Sequence, residues 1–165
     1  MEKGLITIFT GDGKGKTSAA IGRAIQAADE GKQVVIIQFL KGKGLHGSEL
    51  VSRLEPEIKL FCFEKSDEYF DDLTEEQKKD ECCNIMYGMN YARKVLSTGE
   101  CDLLILDEVL GLVENEIISI DDLIELLEAR EETSVILTGI HLKDEICFKA
   151  DEVSQIETVK FKVWE

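Results

Sequence analysis

The sequence predicts an α/β protein: a single domain over residues 1–165, built on one mostly parallel sheet with helices on both faces. Three observations predict it. Apolar runs of strand length alternate with longer segments of helical periodicity. The runs Gln33-Val-Val-Ile-Ile-Gln-Phe39 and Leu103-Leu-Ile-Leu106 are almost wholly apolar, as in strands covered on both faces. The joins are short, with no linker, repeat or low-complexity segment. A chain of 165 residues suits one domain that removes about two thirds of its unfolded surface from water.

In chain order, the first strand covers about Gly4 to Phe9. The glycine-rich turn Thr10-Gly-Asp-Gly-Lys-Gly-Lys-Thr-Ser18 opens into a helix from Lys16 to about Glu30, and Gly31 stands where a helix-ending glycine belongs. The second strand is Gln33 to Phe39. A basic loop, Leu40-Lys-Gly-Lys-Gly-Leu-His-Gly47, and a short helix near Ser48 to Leu54 follow. Pro56 marks a turn before the third strand, Ile58 to Phe63. Glu64 to Asp72 is polar and reads as a loop. Thr74-Glu-Glu-Gln77 is a capping box that starts a helix to about Ser97, with Cys82, Ile85, Met86, Met89 and Leu96 as its core stripe. Gly99 stops it. The fourth strand, Leu103 to Leu106, ends in Asp107-Glu108. Ser119-x-x-Asp122 caps a helix to about Ala129. Ser134 to Thr138 is the fifth strand. A short helix near Lys143 to Ala150 and a last strand or pair across Val153 to Val163 complete the chain.

In such a sheet, ligands bind at the carboxyl ends of the strands. The residues just after Thr10, Phe39, Asp107 and Thr138 should therefore ring one crevice. The turn at Thr10–Ser18 has the chemistry of a nucleoside triphosphate site. Its glycines let backbone N–H groups approach a polyphosphate, and the helix behind it adds its positive dipole end. Lys16 supplies a point charge, and the Thr17 hydroxyl can ligate Mg²⁺. The common loop reads G-x-x-x-x-G-K-[ST]. Counting back from Gly15-Lys16-Thr17, its first glycine falls on Thr10, so the glycine at Gly11 makes this loop one residue tighter, and Lys14 adds a second lysine.

The carboxylates of Asp107 and Glu108 at a strand end can hold Mg²⁺ directly or through water. Lys41 and Lys43 sit in a glycine-containing loop that can touch phosphate or an anionic substrate. Tyr69 and Phe70 form an apolar lid over a ligand or anchor their loop to the core. His141 lacks an evident carboxylate neighbour in sequence. Composition excludes several classes. The net charge of −15 repels nucleic acid. Five cysteines without C-x-x-C, and two histidines, give a zinc site little support and read as buried, reduced thiols of a cytoplasmic protein. No signal peptide leads the chain, and no apolar run reaches the ~18 residues of a membrane span.

With these residues the sequence resembles the P-loop type of ATP:corrinoid adenosyltransferases (cob(I)alamin adenosyltransferases). The likeness rests on Thr10-Gly-Asp-Gly-Lys-Gly-Lys-Thr17 with Ala19-Ala20, on Val35-Ile-Ile-Gln-Phe-Leu-Lys-Gly42, on Leu106-Asp-Glu108 and on Leu137-Thr-Gly139. The resemblance implies a P-loop NTPase-like (RecA-like) fold and a transferase. Its reaction would move the 5′-deoxyadenosyl group of ATP to the cobalt of a reduced corrinoid and release triphosphate. It implies ATP, Mg²⁺ and cob(I)alamin as ligands, a cytoplasmic homodimer and a flavoprotein reductase as partner. Carried over by motif, Gly11, Asp12, Gly13, Lys14, Gly15, Lys16, Thr17 and Ser18 bind the nucleotide, Thr17 and Glu108 hold the metal, and Lys16 and Glu108 are catalytic. Tyr69, Phe70 and Lys41 face the corrinoid.

The chain departs from the family pattern in four places. Ile140 stands where the family usually places a phosphate-binding arginine after Thr-Gly. The arginine often found near Gln26 has its nearest counterpart in Arg23. The family commonly has an N-terminal extension and a longer C-terminal tail, whereas this sequence starts at its first strand and stops at Trp164-Glu165. Two other readings stay open on the residues alone: an ATP-binding regulatory module without transfer, and an ordinary P-loop ATPase or kinase.

Overall fold

The strands of the sheet, apart from its exposed last edge, divide their side chains between two cores, because successive residues of a strand point to opposite faces. The structure is a computed structural model that describes residues 2–42 and 44–163; Lys43 and Trp164-Glu165 lie outside the described residues. Among the described residues the strands are β1 (Ile6–Thr10), β2 (Val34–Gln38), β3 (Ile58–Phe61), β4 (Leu103–Asp107), β5 (Ser134–Gly139) and β6 (Glu152–Gln155). They form one sheet in the order β3-β2-β4-β5-β1-β6, with every neighbouring pair parallel. The helices are α1 (Lys16–Asp29), α2 (Glu49–Ser52), α3 (Glu75–Thr98), α4 (Val109–Glu114), α5 (Ile120–Glu128) and α6 (Asp144–Cys147), with a 3-10 turn at Phe70–Asp72.

On one face Phe9, Val34, Ile36, Leu103, Ile105 and Ile136 pack against Ala20, Ala24 and Ala27 of α1. Alanines at helical spacing present little bulk, so this helix lies close across the sheet. On the other face Ile6, Ile8, Val35, Ile37, Leu104, Leu106, Val135 and Leu137 pack against α3, α4, α5 and α6. The expected architecture, one parallel sheet with helices on both faces, is the one present. Its functional consequence is a matter of parity. Residues 34, 36 and 38, residues 103, 105 and 107, and residues 136 and 138 all point to the α1 side. Three polar side chains at the strand ends, Gln38, Asp107 and Thr138, therefore converge where α1 begins.

The structure differs from the sequence reading at five points. α4 carries no amphipathic signal, because Val109 to Val113 are all buried; a helix apolar all round has no periodicity to detect. The last strand is only Glu152–Gln155. After Ile156 donates its N–H to the Thr10 carbonyl at 2.7 Å, the chain leaves the sheet. The core stripe of α3 is Ile85, Gly88, Met89, Ala92, Val95 and Leu96, with buried Glu81, and Met86 is exposed. Phe63 lies beyond β3, which ends at Phe61. Of the five cysteines, all free, only Cys101 is buried, and Cys83 and Cys147 are exposed.

The β5–α4 junction fixes the strand-end residues tightly. A Cβ built on Gly139 would lie 2.3 Å from Leu110 Cβ, a distance no packed pair adopts. Gly139→Ala should therefore lower stability by about 1–3 kcal/mol, since α4 must shift to admit the methyl group. Urea denaturation of the variant checks this, and a change within error would show that the junction yields freely.

Candidate active site

The glycine-rich turn begins where β1 ends and delivers the chain into α1 through Gly15, which sits in the left-handed region at φ 112°. Thr17 lies in the first turn of α1. Its hydroxyl donates to the Asp107 carboxylate, 2.9 Å from Oδ1 and 3.2 Å from Oδ2. The same carboxylate accepts from Thr138 Oγ1 at 2.6 Å and from Gln38 Nε2 at 3.1 Å. Gln38 turns its other end to the basic loop, where its Oε1 accepts from Leu45 N–H at 3.0 Å. Lys41 Nζ donates to Thr17 Oγ1 at 2.8 Å and lies 3.7 Å from Asp107 Oδ2. Asp107 is only 1% exposed, so its charge is matched almost entirely by these neighbours.

The residues after the strands line two adjoining clefts rather than one crevice: Leu40 and Glu108 open onto one, Thr10 and Gly11 onto the other, and Ile140 borders both. The rest of the loop has varied exposure. Gly11 and Gly13 are buried, Asp12, Lys14 and Ser18 are exposed, and Lys16 Nζ donates to the Gly13 carbonyl at 2.9 Å. Lys41, expected at the corrinoid, directs its ammonium to Thr17 and Asp107. Ile140 holds the loop's start by its backbone alone. Its carbonyl accepts from Gly11 N–H at 3.2 Å and from Thr10 Oγ1 at 3.1 Å.

The first of these clefts, of about 440 Å³, is lined by Leu40, Tyr69, Phe70, Glu108, Gly111 and Ile140 among others. Tyr69 is exposed, whereas Phe70 is buried in the core with Leu73. Phe70 therefore takes the anchoring role that the sequence allowed, while the Tyr69 ring faces outward beside the cleft. His141 meets Glu114 at the same rim, with Nε2 and Oε1 3.2 Å apart, a carboxylate neighbour that sequence did not reveal.

The model of the ATP:corrinoid adenosyltransferase BtuR/CobO/CobP family matches residues 2–165. The chain belongs to that family. The corrinoid adenosyltransferase of Escherichia coli (strain K12) is 32% identical over 160 residues, covering 96% of this chain and 79% of the relative. Corrinoid adenosyltransferase CobA of Salmonella typhimurium (strain LT2) matches with the same identity and coverage. In fold, the chain is similar to flagellar accessory protein FlaH of Methanocaldococcus jannaschii. The TM-score is 0.54 at 16% identity, over 96% of this chain and 73% of that one. The fold is P-loop NTPase-like in its RecA-like form, with β5 inserted between the loop strand β1 and the acidic strand β4.

Within this adenosyltransferase family member, Glu108 and Asp107 have separate environments although they are adjacent. Glu108 caps α4 in the left-handed region at φ 63°, held by its N–H donating to Thr138 Oγ1 at 2.8 Å. Its carboxyl opens onto the cleft. Burial pushes it above the usual carboxylate range, while Lys41 and Lys16 pull it down and Asp107 adds to the rise. Asp107, Gln38 and Thr138 were not singled out by sequence as partners of Thr17. The signal was available in the period-two alternation of the apolar runs, which puts Asp107 and not Glu108 on the α1 face.

The basic loop has its own clamp. Leu40 takes φ 59°, and its N–H donates to Glu64 Oε1 at 2.8 Å. Glu64 is only 9% exposed. Burial raises its pKa to about 7, the Leu40 N–H works against the rise, and Glu81 adds to it. Between the ordinary carboxylate range and about 7, the folded protein holds this proton and the unfolded chain does not. Stability must therefore fall as pH rises through that window, by at most about 3 kcal/mol. Glu64→Gln keeps an acceptor for Leu40 and removes the titration. Urea denaturation at pH 5 and pH 8 should show the variant losing less stability than the wild type. Equal losses would mean that Glu64 is not the group responsible.

Proposed function

We propose that the protein transfers the 5′-deoxyadenosyl group of ATP to the cobalt of a reduced corrinoid. The observation that carries this reading is the junction of the tight loop with Asp107, beside an open cleft walled by Leu40, Tyr69 and Ile140. Family membership supports it. Cobalt(I) supplies the electron pair and attacks the ribose C5′. The Co–C bond forms as the C5′–O bond breaks, and triphosphate leaves with the bonding electrons. The nucleophile needs no base, so the protein contributes positioning and charge stabilisation.

The loop N–H groups from Gly15 onward, together with the Lys14 and Lys16 ammonium groups, bind the triphosphate. Lys41, whose ammonium donates to Thr17, takes over part of the charge stabilisation that the arginine replaced by Ile140 would give. The hydroxyl of Thr17 and the carboxylates of Asp107 and Glu108 are hard oxygen donors of the kind Mg²⁺ takes, so the residues fit a metal. A bound Mg²⁺ would neutralise charge on the departing triphosphate. Because Lys41 now bridges Thr17 and Asp107, it would have to yield those oxygens to the metal. Tyr69 and the apolar wall of the cleft receive the corrinoid and keep water from C5′. In this reading the enzyme acts as a homodimer in the cytoplasm, served by a flavoprotein reductase.

Incubation with ATP, Mg²⁺ and chemically reduced cobalamin should give the adenosylated corrinoid spectrum and one triphosphate per adenosyl group transferred. ADP with phosphate and no adenosylated product would indicate an ordinary ATPase and overturn the proposal. Lys16→Ala should weaken ATP binding by about 10- to 100-fold, the loss of one to two charge-assisted contacts, without lowering the melting temperature. Unchanged ATP affinity in calorimetry would refute the assignment of the loop.

A further inference from the structure

The segment that follows β6 crosses the glycine-rich loop and makes four separate contacts with it. Ile156 N–H donates to the Thr10 carbonyl at 2.7 Å, and Gly13 N–H donates back to the Ile156 carbonyl at 3.0 Å. Lys14 N–H donates to Thr158 Oγ1 at 3.1 Å. The Lys14 ammonium stands 3.6 Å from the centre of the Phe161 ring. The fit is close enough to dictate sequence. A Cβ on Gly11 would lie 2.3 Å from the Ile156 carbonyl oxygen, and one on Gly13 would lie 2.7 Å from it. Two of the three glycines of the tight loop, Gly11 and Gly13, are thus required by the crossing segment, independently of any phosphate.

Two consequences follow. The N–H groups of Gly13 and Lys14 are committed to the strap, so their peptide planes are fixed and the N–H groups from Gly15 onward are left to face an anion. Lys14, in turn, has two possible partners. Phe161 is 61% exposed, and a cation over an exposed ring is held weakly. A lysine stem has enough free rotors to leave such a ring for a nearby polyphosphate.

We propose that residues Ile156–Phe161 are a strap that positions the loop: Thr158 sets the orientation of its backbone, and Phe161 holds Lys14 in reserve for the polyphosphate. Thr158 and Phe161 are positioning residues that act in opposite directions. Thr158 favours polyphosphate binding by pre-orienting the loop. Phe161 opposes it, because the anion must draw Lys14 off the ring. The inference rests on the loop's being the polyphosphate cradle.

Calorimetric titration with inorganic tripolyphosphate separates these effects. Thr158→Val should weaken binding about three- to tenfold, the size of one lost hydrogen bond, and Thr158→Ser should restore it. Phe161→Leu should tighten binding about two- to fivefold, the size of an exposed cation–π contact, and Phe161→Tyr should stay near the wild type. In a Lys14→Met background, Phe161→Leu should change nothing. Both exposed sites lie away from the core, so melting temperatures should move little. A merely structural segment would shift both variants the same way, in step with stability. That result, or any other departure from the opposed pattern, overturns the strap. Wild-type protein that binds no tripolyphosphate takes the cradle and the strap down together. Binding that vanishes in Lys16→Ala, with no split between the two strap variants, takes down the strap alone.

Discussion

One buried carboxylate ties the site to the sheet. Asp107 accepts from Thr17 of the first helix, from Thr138 of β5 and from Gln38 of β2, and the Lys41 ammonium stands over it. Four donors, from three chain segments far apart in sequence, meet at two oxygen atoms. Removing such a charge from water is unfavourable unless it is surrounded by donors. The arrangement is therefore coupled: each donor is held in place because the carboxylate needs it, and the glycine-rich turn gains a fixed anchor at Thr17. Loosening any of the four would leave Asp107 short of a partner and the first turn of α1 free to shift.

Much of this was legible in the sequence, for identifiable reasons. Buried parallel strands announce themselves as uninterrupted apolar runs, and the capping residues Thr74 and Ser119 place two helices to within a residue. The loop itself is a local motif. What escaped is what depends on contacts between distant segments. α4 is apolar on every side and so has no period. Met86 satisfies the helical spacing of the α3 stripe yet faces solvent, because buried Glu81 and Gly88 mark the true contact face. The strap leaves no pattern, since half of its contacts with the loop are backbone and the other half rest on two isolated side chains, Thr158 and Phe161. The choice between Asp107 and Glu108 lies between these cases. Strand parity decides that Asp107 meets Thr17, but only once both faces of the sheet are known to be covered.

The charge distribution sharpens the functional reading. A chain of net charge −15 would repel a triphosphate at most points on its surface. Lys16 of the loop and Lys41 from the end of β2 both act on Glu108, and Lys14 stands on the same loop beside the exposed Phe161 ring. The Ile140 side chain provides no charge where the family pattern has an arginine, yet its carbonyl still pins the start of the loop through Gly11 and Thr10. The backbone of that position thus serves as a scaffold for the loop, whatever its side chain. Glu64 adds a second layer of control. By gripping Leu40 it sets the path of the segment that delivers Lys41 to the site.

Asp107 acts on the nucleotide site through Thr17. A double-mutant cycle of Thr17→Val and Asp107→Asn, read as the affinity for ATP with Mg²⁺ by calorimetry, tests that claim directly. The two residues should be strongly coupled: the double variant should bind no more than marginally worse than the weaker single variant, with an interaction energy of about 1–2 kcal/mol. Losses that simply add, to within about 0.5 kcal/mol, would mean that the two residues act independently and would contradict it.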